Sequence, residues 1–220
     1  MYLIVVGAGG IGSALVELAV RDRHNVAVIE RNPEKAQAIA RKYDILVIQA
    51  DAASVEALQE AGADRADALI TTTSDDATNL MVIAAAQDLG VPTIVSVVNN
   101  RAHTELFRRL GSHVMENPDV IVAEYLYHAA LHPKLRDLVT LPGGAQMFRV
   151  TVPENSPLVG RTLREAGEEG IIPDGVLVAA VERDDELLIA KGSTVVQPGD
   201  VLTIFSKEHT PERLIVLLTG

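Results

Sequence analysis

Directly behind the apolar run Tyr2–Val6 stands Gly7-Ala8-Gly9-Gly10-Ile11-Gly12, which leads into residues with helical spacing. Glycines at this spacing between a strand and a helix can each have a task. The first permits a tight turn, the second lets backbone approach a pyrophosphate, and the third lets the helix lie close on the strand. Gly7, Gly9 and Gly12 hold those places, with Ala8, Gly10 and Ile11 between them. The N–H groups and dipole at such a helix start favour a phosphate. Further short Val- and Ile-rich runs follow at residues 25–29, 45–49, 68–71, 93–97 and 113–115. The segments between them open at Asn32-Pro33, Ser54 and Asp75-Asp76 and close near Gly62, Gly90 and Gly111. This alternation predicts a parallel sheet buried on both faces and joined by right-handed crossovers.

At 220 residues, the chain has room for one full domain and a smaller one. With 48% hydrophobic and 22% charged residues, it can bury a core and is not a disordered chain. The expected class is α/β: a Rossmann-like doubly wound parallel sheet with a second, smaller α+β domain. Residues 1–136 are expected to form the first domain with a crossover helix, 137–145 a linker around Pro142-Gly143-Gly144, and 146–220 the second domain. The crossover helix, 120–131, carries Ile121, Val122, Leu126, Ala129 and Ala130. It follows the last strand of the sheet, so its apolar surface is expected to meet the second domain or a second subunit. In the second domain strands are expected at 147–152, 176–183, 186–190 and 201–205, with turns at Arg183-Asp184-Asp185 and Gln197-Pro198-Gly199-Asp200. Short helices are expected at 162–168 and 211–218.

Glu30 closes the second strand, where a carboxylate can accept hydrogen bonds from ribose hydroxyls. Its charge opposes a 2′-phosphate, so NAD or an adenosine nucleotide is expected in preference to NADP, although Arg31 beside it could offset that charge. Asp51 and Ala52 lie beyond the third strand and Thr71-Thr72-Thr73 at the carboxyl end of the fourth, the edge where ligands bind in such sheets. Asp51 could meet the adenosine, and the threonines the ribose or phosphates. The alternative for each is a loop cap or turn hydroxyl. Asp75, Asp76 and Asn79 read most simply as caps of the next helix.

Other chemistries are poorly supported. A net charge of -11 argues against nucleic acid as a partner. The absence of cysteine removes disulfides, thiolate metal sites and thiol nucleophiles. No apolar run near the start approaches the ~20 residues of a bilayer span, so no direct membrane insertion is expected. An oxidoreductase needs a group to exchange a proton with substrate. None of Tyr2, Tyr43, Tyr125 and Tyr127 has a lysine four residues on. Glu124, His128 and His132 share a spacing of four but read as a solvated face, and no catalytic or metal-binding residue is assigned.

Taken in order, the glycine fingerprint, Glu30, Asp51, the threonine run with Asp75-Asp76 and Asn79, the crossover helix and the small acidic second domain resemble a known family. They look like the RCK (regulator of potassium conductance) subunits of Trk/Ktr-type potassium uptake systems, with TrkA_N and TrkA_C domains. Residues 152–163 are similar to the opening of the family's second domain and 196–204 to its closing segment. The resemblance implies a non-catalytic, cytoplasmic gating subunit, peripheral at the inner face of the membrane, that binds NAD(H) or an adenine nucleotide (ATP/ADP) and docks on an integral-membrane potassium channel or transporter. It also implies self-association into dimers and a ring, a free-standing single-copy subunit, and a small effector in the second domain. In some members a nucleotide phosphate engages a divalent cation, for which Asp119 lies near a suitable place. Two other readings remain open: a regulator of another cation transporter, such as a cation/proton antiporter, and an NAD-dependent oxidoreductase.

Overall fold

The apolar run at the start of the chain is strand β1 (Tyr2–Val6), and the glycine segment turns it into helix α1 (Gly10–Arg21). The alternation then continues through β2 (Asn25–Ile29), α2 (Pro33–Lys42), β3 (Leu46–Ile48), α3 (Val55–Glu60), β4 (Ala68–Thr71), α4 (Asp76–Asp88), β5 (Ile94–Val98), α5 (Thr104–Arg109) and β6 (His113–Glu116). These strands form a parallel sheet in the order β3-β2-β1-β4-β5-β6. The chain runs outward from β1 in one direction and from β4 in the other. That leaves a crevice at the carboxyl ends of β1 and β4, the switch point at which such sheets bind ligands. The computed structural model describes residues 1–131, 135–141 and 143–207.

Alternation along the buried strands sends successive side chains to opposite faces. Ile4, Val6, Ala27 and Ile29 join Leu58, Val82, Ile83 and Phe107 from α3, α4 and α5. Val5, Val26 and Val28 join Val16, Ala19 and Ile39 from α1 and α2. Each fully buried Val, Ile, Leu or Phe contributes roughly 1.5–3 kcal/mol relative to exposure, so both helical layers are firmly held. The helix starts are capped as the sequence suggests. Asn32 Oδ1 accepts from the Glu34 and Lys35 N–H groups at 2.9 and 3.1 Å with Pro33 in the first turn, and Ser54 caps α3.

Helix α6 (Pro118–Leu131) follows β6 at once and starts two residues before the expected 120. None of its residues is buried, and Val120, Ile121, Val122, Leu126, Tyr127 and Leu131 are each more than half exposed. The chain divides into two compact units, Met1–Val120 and Ile121–Gly220, with the boundary falling within this helix.

The second unit holds β7 (Leu135–Thr140), β8 (Gln146–Thr151), α7 (Leu163–Glu168), β9 (Val176–Arg183), β10 (Glu186–Ile189) and β11 (Val201–Ser206). Their antiparallel order is β10-β9-β11-β8-β7. Period-two burial aims Phe148 and Val150 of β8 and Leu202 and Ile204 of β11 into one core with Leu158, Ala166 and Val181. A capping box starts α7: the Thr162 hydroxyl accepts from the Glu165 N–H at 3.2 Å, and the Glu165 carboxylate accepts from the Thr162 N–H at 2.8 Å. Asp184 and Asp185, with φ of 50° and 63°, make the two-residue turn between β9 and β10. The expected linker 137–145 is corrected in part, because residues 137–140 belong to β7. Main-chain pairing with β8 makes that segment a strand although its exposed residues give little apolar signal. The helix expected at 211–218 lies outside the described residues.

One ion pair ties this unit's turns together. Asp200 is 1% exposed, and Arg183 donates to it from Nε and Nη2, both at 2.8 Å, while the Gln197 N–H donates at 2.8 Å. Burial pushes the Asp200 carboxyl up, but Arg183 and the Gln197 N–H more than offset this and hold it below the usual carboxylate range. Among the described residues, no helix is long and apolar enough to cross a membrane.

Candidate functional site

The glycines behind β1 divide their roles along the turn. Gly7 takes φ +93°, a conformation that side chains resist, and its N–H donates to Ile29 O at 2.9 Å. A Cβ on Gly12 would stand 1.9 Å from Gly7 O, so only glycine lets α1 lie this close to the turn. A Cβ on Gly9 or Gly10 would meet nothing within 4 Å, which leaves space above the backbone there. Gly9 is the extended N-cap residue of α1 and offers no capping side chain, and the first turn carries no acidic residue. The leading N–H groups of a helix lack intrahelical acceptors, and the dipole adds about half a positive charge. An open approach and uncommitted donors together suit a phosphate.

Glu30, 8% exposed, sits at the end of β2. Its Oε2 accepts from the Ala8 N–H at 2.6 Å and its Oε1 from the Asn32 N–H at 2.7 Å. The carboxylate therefore latches the glycine turn to the start of α2. Each carboxylate oxygen accepts more than one hydrogen bond, so a ribose hydroxyl can still find an acceptor here. The latch was not legible in the sequence.

The threonine run serves the turn from the other side. Thr72 Oγ1 lies 3.0 Å from Val6 O and 3.2 Å from Gly7 O, which pins the glycine turn to the end of β4. Thr71 is fully buried and its hydroxyl donates to Asn79, while Thr73 Oγ1 lies 2.7 Å from the same Asn79 Oδ1. Asn79, also fully buried, donates through Nδ2 to Thr73 O at 3.0 Å. Its expected role as a cap is replaced by this tie. It stands one turn after Asp75, on the α4 face that meets the threonine loop, and that spacing is the signal that could have revealed it.

Asp75 is the N-cap of α4, as expected, accepting from the Thr78 N–H at 2.9 Å. The Thr78 hydroxyl and N–H hold its carboxyl below the usual range. Asp76 differs from expectation because its carboxylate turns away from its own helix. It accepts from the Asn99 and Asn100 N–H groups at 2.8 and 2.9 Å, and His103 Nδ1 lies 2.8 Å from its Oδ2. Burial pushes this carboxyl up, but the donors from Asn99, His103 and Asn100 leave it below the ordinary value. Asp76 thereby fixes the loop after β5 against α4.

These ties shape a cavity of about 390 Å³ at the switch point. Gly7, Gly9, Gly10, Ile11, Glu30, Arg31, Asp51, Ala52, Thr72 and Thr73 line it. Ala8, Gly12 and Thr71, expected in the site, do not line the cavity and are buried. Asp51 also accepts from the Ala53 N–H at 3.0 Å within its own loop. Lys35, Ser74, Asp75, Thr78, Asn99 and Asp119 are the other polar residues of the wall, and of these only Asp119 was expected near a ligand, through the family resemblance. Among the described residues no group of three or more His, Cys, Asp or Glu side chains could hold a metal ion.

Comparison with known proteins agrees with this architecture. The profile of the TrkA-N domain matches residues 3–118 and that of the TrkA-C domain residues 147–216. The Trk system potassium uptake protein TrkA homolog of Methanothermobacter thermautotrophicus is 26% identical over 221 residues, spanning 100% of both chains. The Trk system potassium uptake protein TrkA of Azorhizobium caulinodans is 31% identical over 208 residues, covering 92% of this chain but only 44% of its own. Among solved structures, the GsuK channel superposes with a TM-score of 0.67 at 20% identity, over 100% of this chain and 39% of that one. The GsuK channel bound to NAD gives a TM-score of 0.62 at 19% identity, over 100% and 39%. The chain thus spans less than half of the length of the GsuK channel, and at these identities the structural likeness is one of fold.

Proposed function

The chain belongs to the family built from TrkA-N and TrkA-C domains, and we propose that it is a nucleotide-sensing regulatory subunit of a potassium uptake channel or transporter. The observation that carries this reading is the open glycine cradle beside Glu30 at the switch point of the first sheet. The N–H groups at the start of α1 meet the phosphates, Glu30 and Asp51 meet the adenosine ribose, and Thr72 and Thr73 border the remainder. The ligand is NAD(H), ATP or ADP. The buried negative charge of Glu30 disfavours a 2′-phosphate, although Arg31 and Lys35 stand nearby.

Bound nucleotide regulates rather than reacts. A ligand shifts an equilibrium between two conformations only by its difference in affinity for them. Helix α6 leaves the nucleotide-binding unit directly beside the cavity, at Pro118 and Asp119, so that difference has a short route to the rest of the chain. The exposed apolar residues of α6 pair one subunit with another, and pairs assemble into a ring on a membrane partner at its cytoplasmic side. The second domain, taken as residues 146–220, receives a small effector. The chain itself performs no chemistry on its ligand.

The test is a melting experiment with the purified protein followed by a flux measurement. A nucleotide at 100 times its dissociation constant stabilises the folded chain by about 2.7 kcal/mol. NAD, NADH, ADP or ATP should raise the melting temperature while NADP has little effect, and the stabilising nucleotide should alter potassium flux through the reconstituted partner. A melting curve that ignores every nucleotide would reject the site. Steady turnover of NADH with a metabolite would reject the regulatory role.

A further inference from the structure

The two edges of the second sheet are built differently. Strand β7 ends the sheet on one side, and its register breaks between Arg136 and Val139, with Asp137 at φ 54°. Such an irregularity bends an edge away from further pairing. Strand β10 ends the other side, unbroken in register from Glu186 to Ile189, and among the described residues no strand lies beyond it. The two-residue turn Asp184-Asp185 makes Arg183 and Glu186 a hydrogen-bonded pair, and bonding then alternates along the strand. The Ala190 N–H, donating to Ala179 O at 3.1 Å, keeps the same phase. Glu186, Leu188 and Ala190 therefore turn their main-chain groups toward β9, while those of Leu187 and Ile189 turn outward. The side chains of the same two residues are 63% and 74% exposed, and no large apolar side chain among the described residues is more exposed than Ile189. A free edge with exposed Leu and Ile is a template for another strand.

We infer that β10 pairs antiparallel with β10 of a second copy of this chain, joining their five-stranded sheets into one continuous sheet. The register that uses all the outward groups has its two-fold axis at Leu188. It sets Leu187 opposite Ile189 of the second copy, and each such pair exchanges two hydrogen bonds. The same register lays Leu187 and Ile189 side by side on one face, an apolar cross-strand pair that the symmetry makes twice. It also carries the acidic turn, Asp184 and Asp185, to the far end of the second copy's strand, where Lys191 follows Ala190. A parallel pairing would instead bring the two acidic turns together, in a chain whose net charge is already -11. The edge is short, so the contact is weak alone and gains from any other contact that links the same chains. It lies within the second unit and rests neither on nucleotide binding nor on α6.

The chain has no cysteine, so introduced ones report the register. Leu187→Cys and Ile189→Cys change exposed side chains and should leave the fold intact. Mixed under a mild oxidant, the two full-length variants should form a disulfide-linked dimer several-fold more abundantly than either does alone. Directly opposite residues lie about 5.5 Å apart between Cα atoms, within disulfide reach, whereas like positions are offset by two residues, roughly 8 Å, beyond it. Ile189→Lys should weaken self-association on the order of tenfold in analytical ultracentrifugation, since both apolar cross-strand pairs are lost. Each chain carries Leu126→Asp in that measurement, which reduces association through α6. Lys191→Glu should weaken it less, and only at low salt. Equal crosslinking in the mixture and in the separate variants would overturn the register and the pairing with it. If Ile189→Lys sediments as its parent does, the edge stays open or receives a different protein, and the inference is wrong. Nucleotide affinity should be unaltered by these variants, so failure here leaves the nucleotide site standing.

Discussion

Glu30 latches the glycine turn, and a single substitution can separate that task from the ribose contact proposed for it. Replacing it with Gln keeps size and shape but supplies one carbonyl oxygen where two acceptors are used, at 2.6 Å from Ala8 N and 2.7 Å from Asn32 N. One of these N–H groups must then face the Gln amide nitrogen, itself a donor. Ala8 is 6% exposed and Asn32 lies at the surface, so the carbonyl should stay on Ala8 and the conflict fall on Asn32, which water can reach. A hydrogen bond to a charged group contributes about 1.5–3 kcal/mol, and that is the expected loss without ligand. A chain of two compact units need not unfold in one step. Native-state hydrogen exchange is therefore the sharper assay, and exchange through opening of the glycine turn should accelerate roughly ten- to a hundredfold, following 1.4 kcal/mol per decade. The rest of the first sheet should be less affected. If the variant keeps wild-type exchange at Ala8 and Asn32 and loses only nucleotide affinity, Glu30 contacts the ligand without latching the turn, and the reasoning fails.

The two glycine positions predict opposite outcomes. Gly9→Val should leave the free protein's stability nearly unchanged, since its Cβ meets nothing, yet abolish nucleotide binding by calorimetry. Gly12→Ala forces a Cβ to within 1.9 Å of Gly7 O and should destabilise the free protein by about 1–3 kcal/mol in denaturant titration. In the second unit, Arg183→Met leaves Asp200 buried without its guanidinium. The loss should be about 3 kcal/mol at neutral pH, near the lower end for a buried pair because Arg183 is 27% exposed. The folded-state pKa of Asp200 is depressed, so the pair's stabilisation is present above the unfolded value of about 3.9 and fades as pH falls through the folded value. Wild type and variant should therefore draw together in unfolding free energy as pH falls below about 4 and converge only below the depressed folded value, and a constant gap would contradict the assignment. Leu126→Asp, on the exposed surface of α6, should reduce the oligomer measured by light scattering without altering nucleotide affinity.

The strand and helix order of the first unit was legible because its signals are local. Glycines at positions 7, 9 and 12, short apolar runs and caps such as Asn32 and Asp75 act within one turn or one strand. The same locality revealed the lining around Glu30, Asp51 and Thr72. Strand β7 escaped because pairing with β8 makes it a strand, while its own pattern resembles a linker. The second duty of Glu30, the turn of Asp76 toward Asn99 and His103, and the burial of Asn79 beneath the threonine loop escaped for a related reason. A side chain's type states which hydrogen bonds it can make, but its partner is chosen by how the chain folds back, across 22 residues for Glu30 and Ala8, 23 for Asp76 and Asn99, and 8 for Asn79 and Thr71. The sequence by itself determined the fold class and the glycine turn, since both follow from backbone geometry and periodic burial. Only the tertiary structure decided which polar residues border the cavity and which hold its walls, because that depends on groups meeting across the sheet.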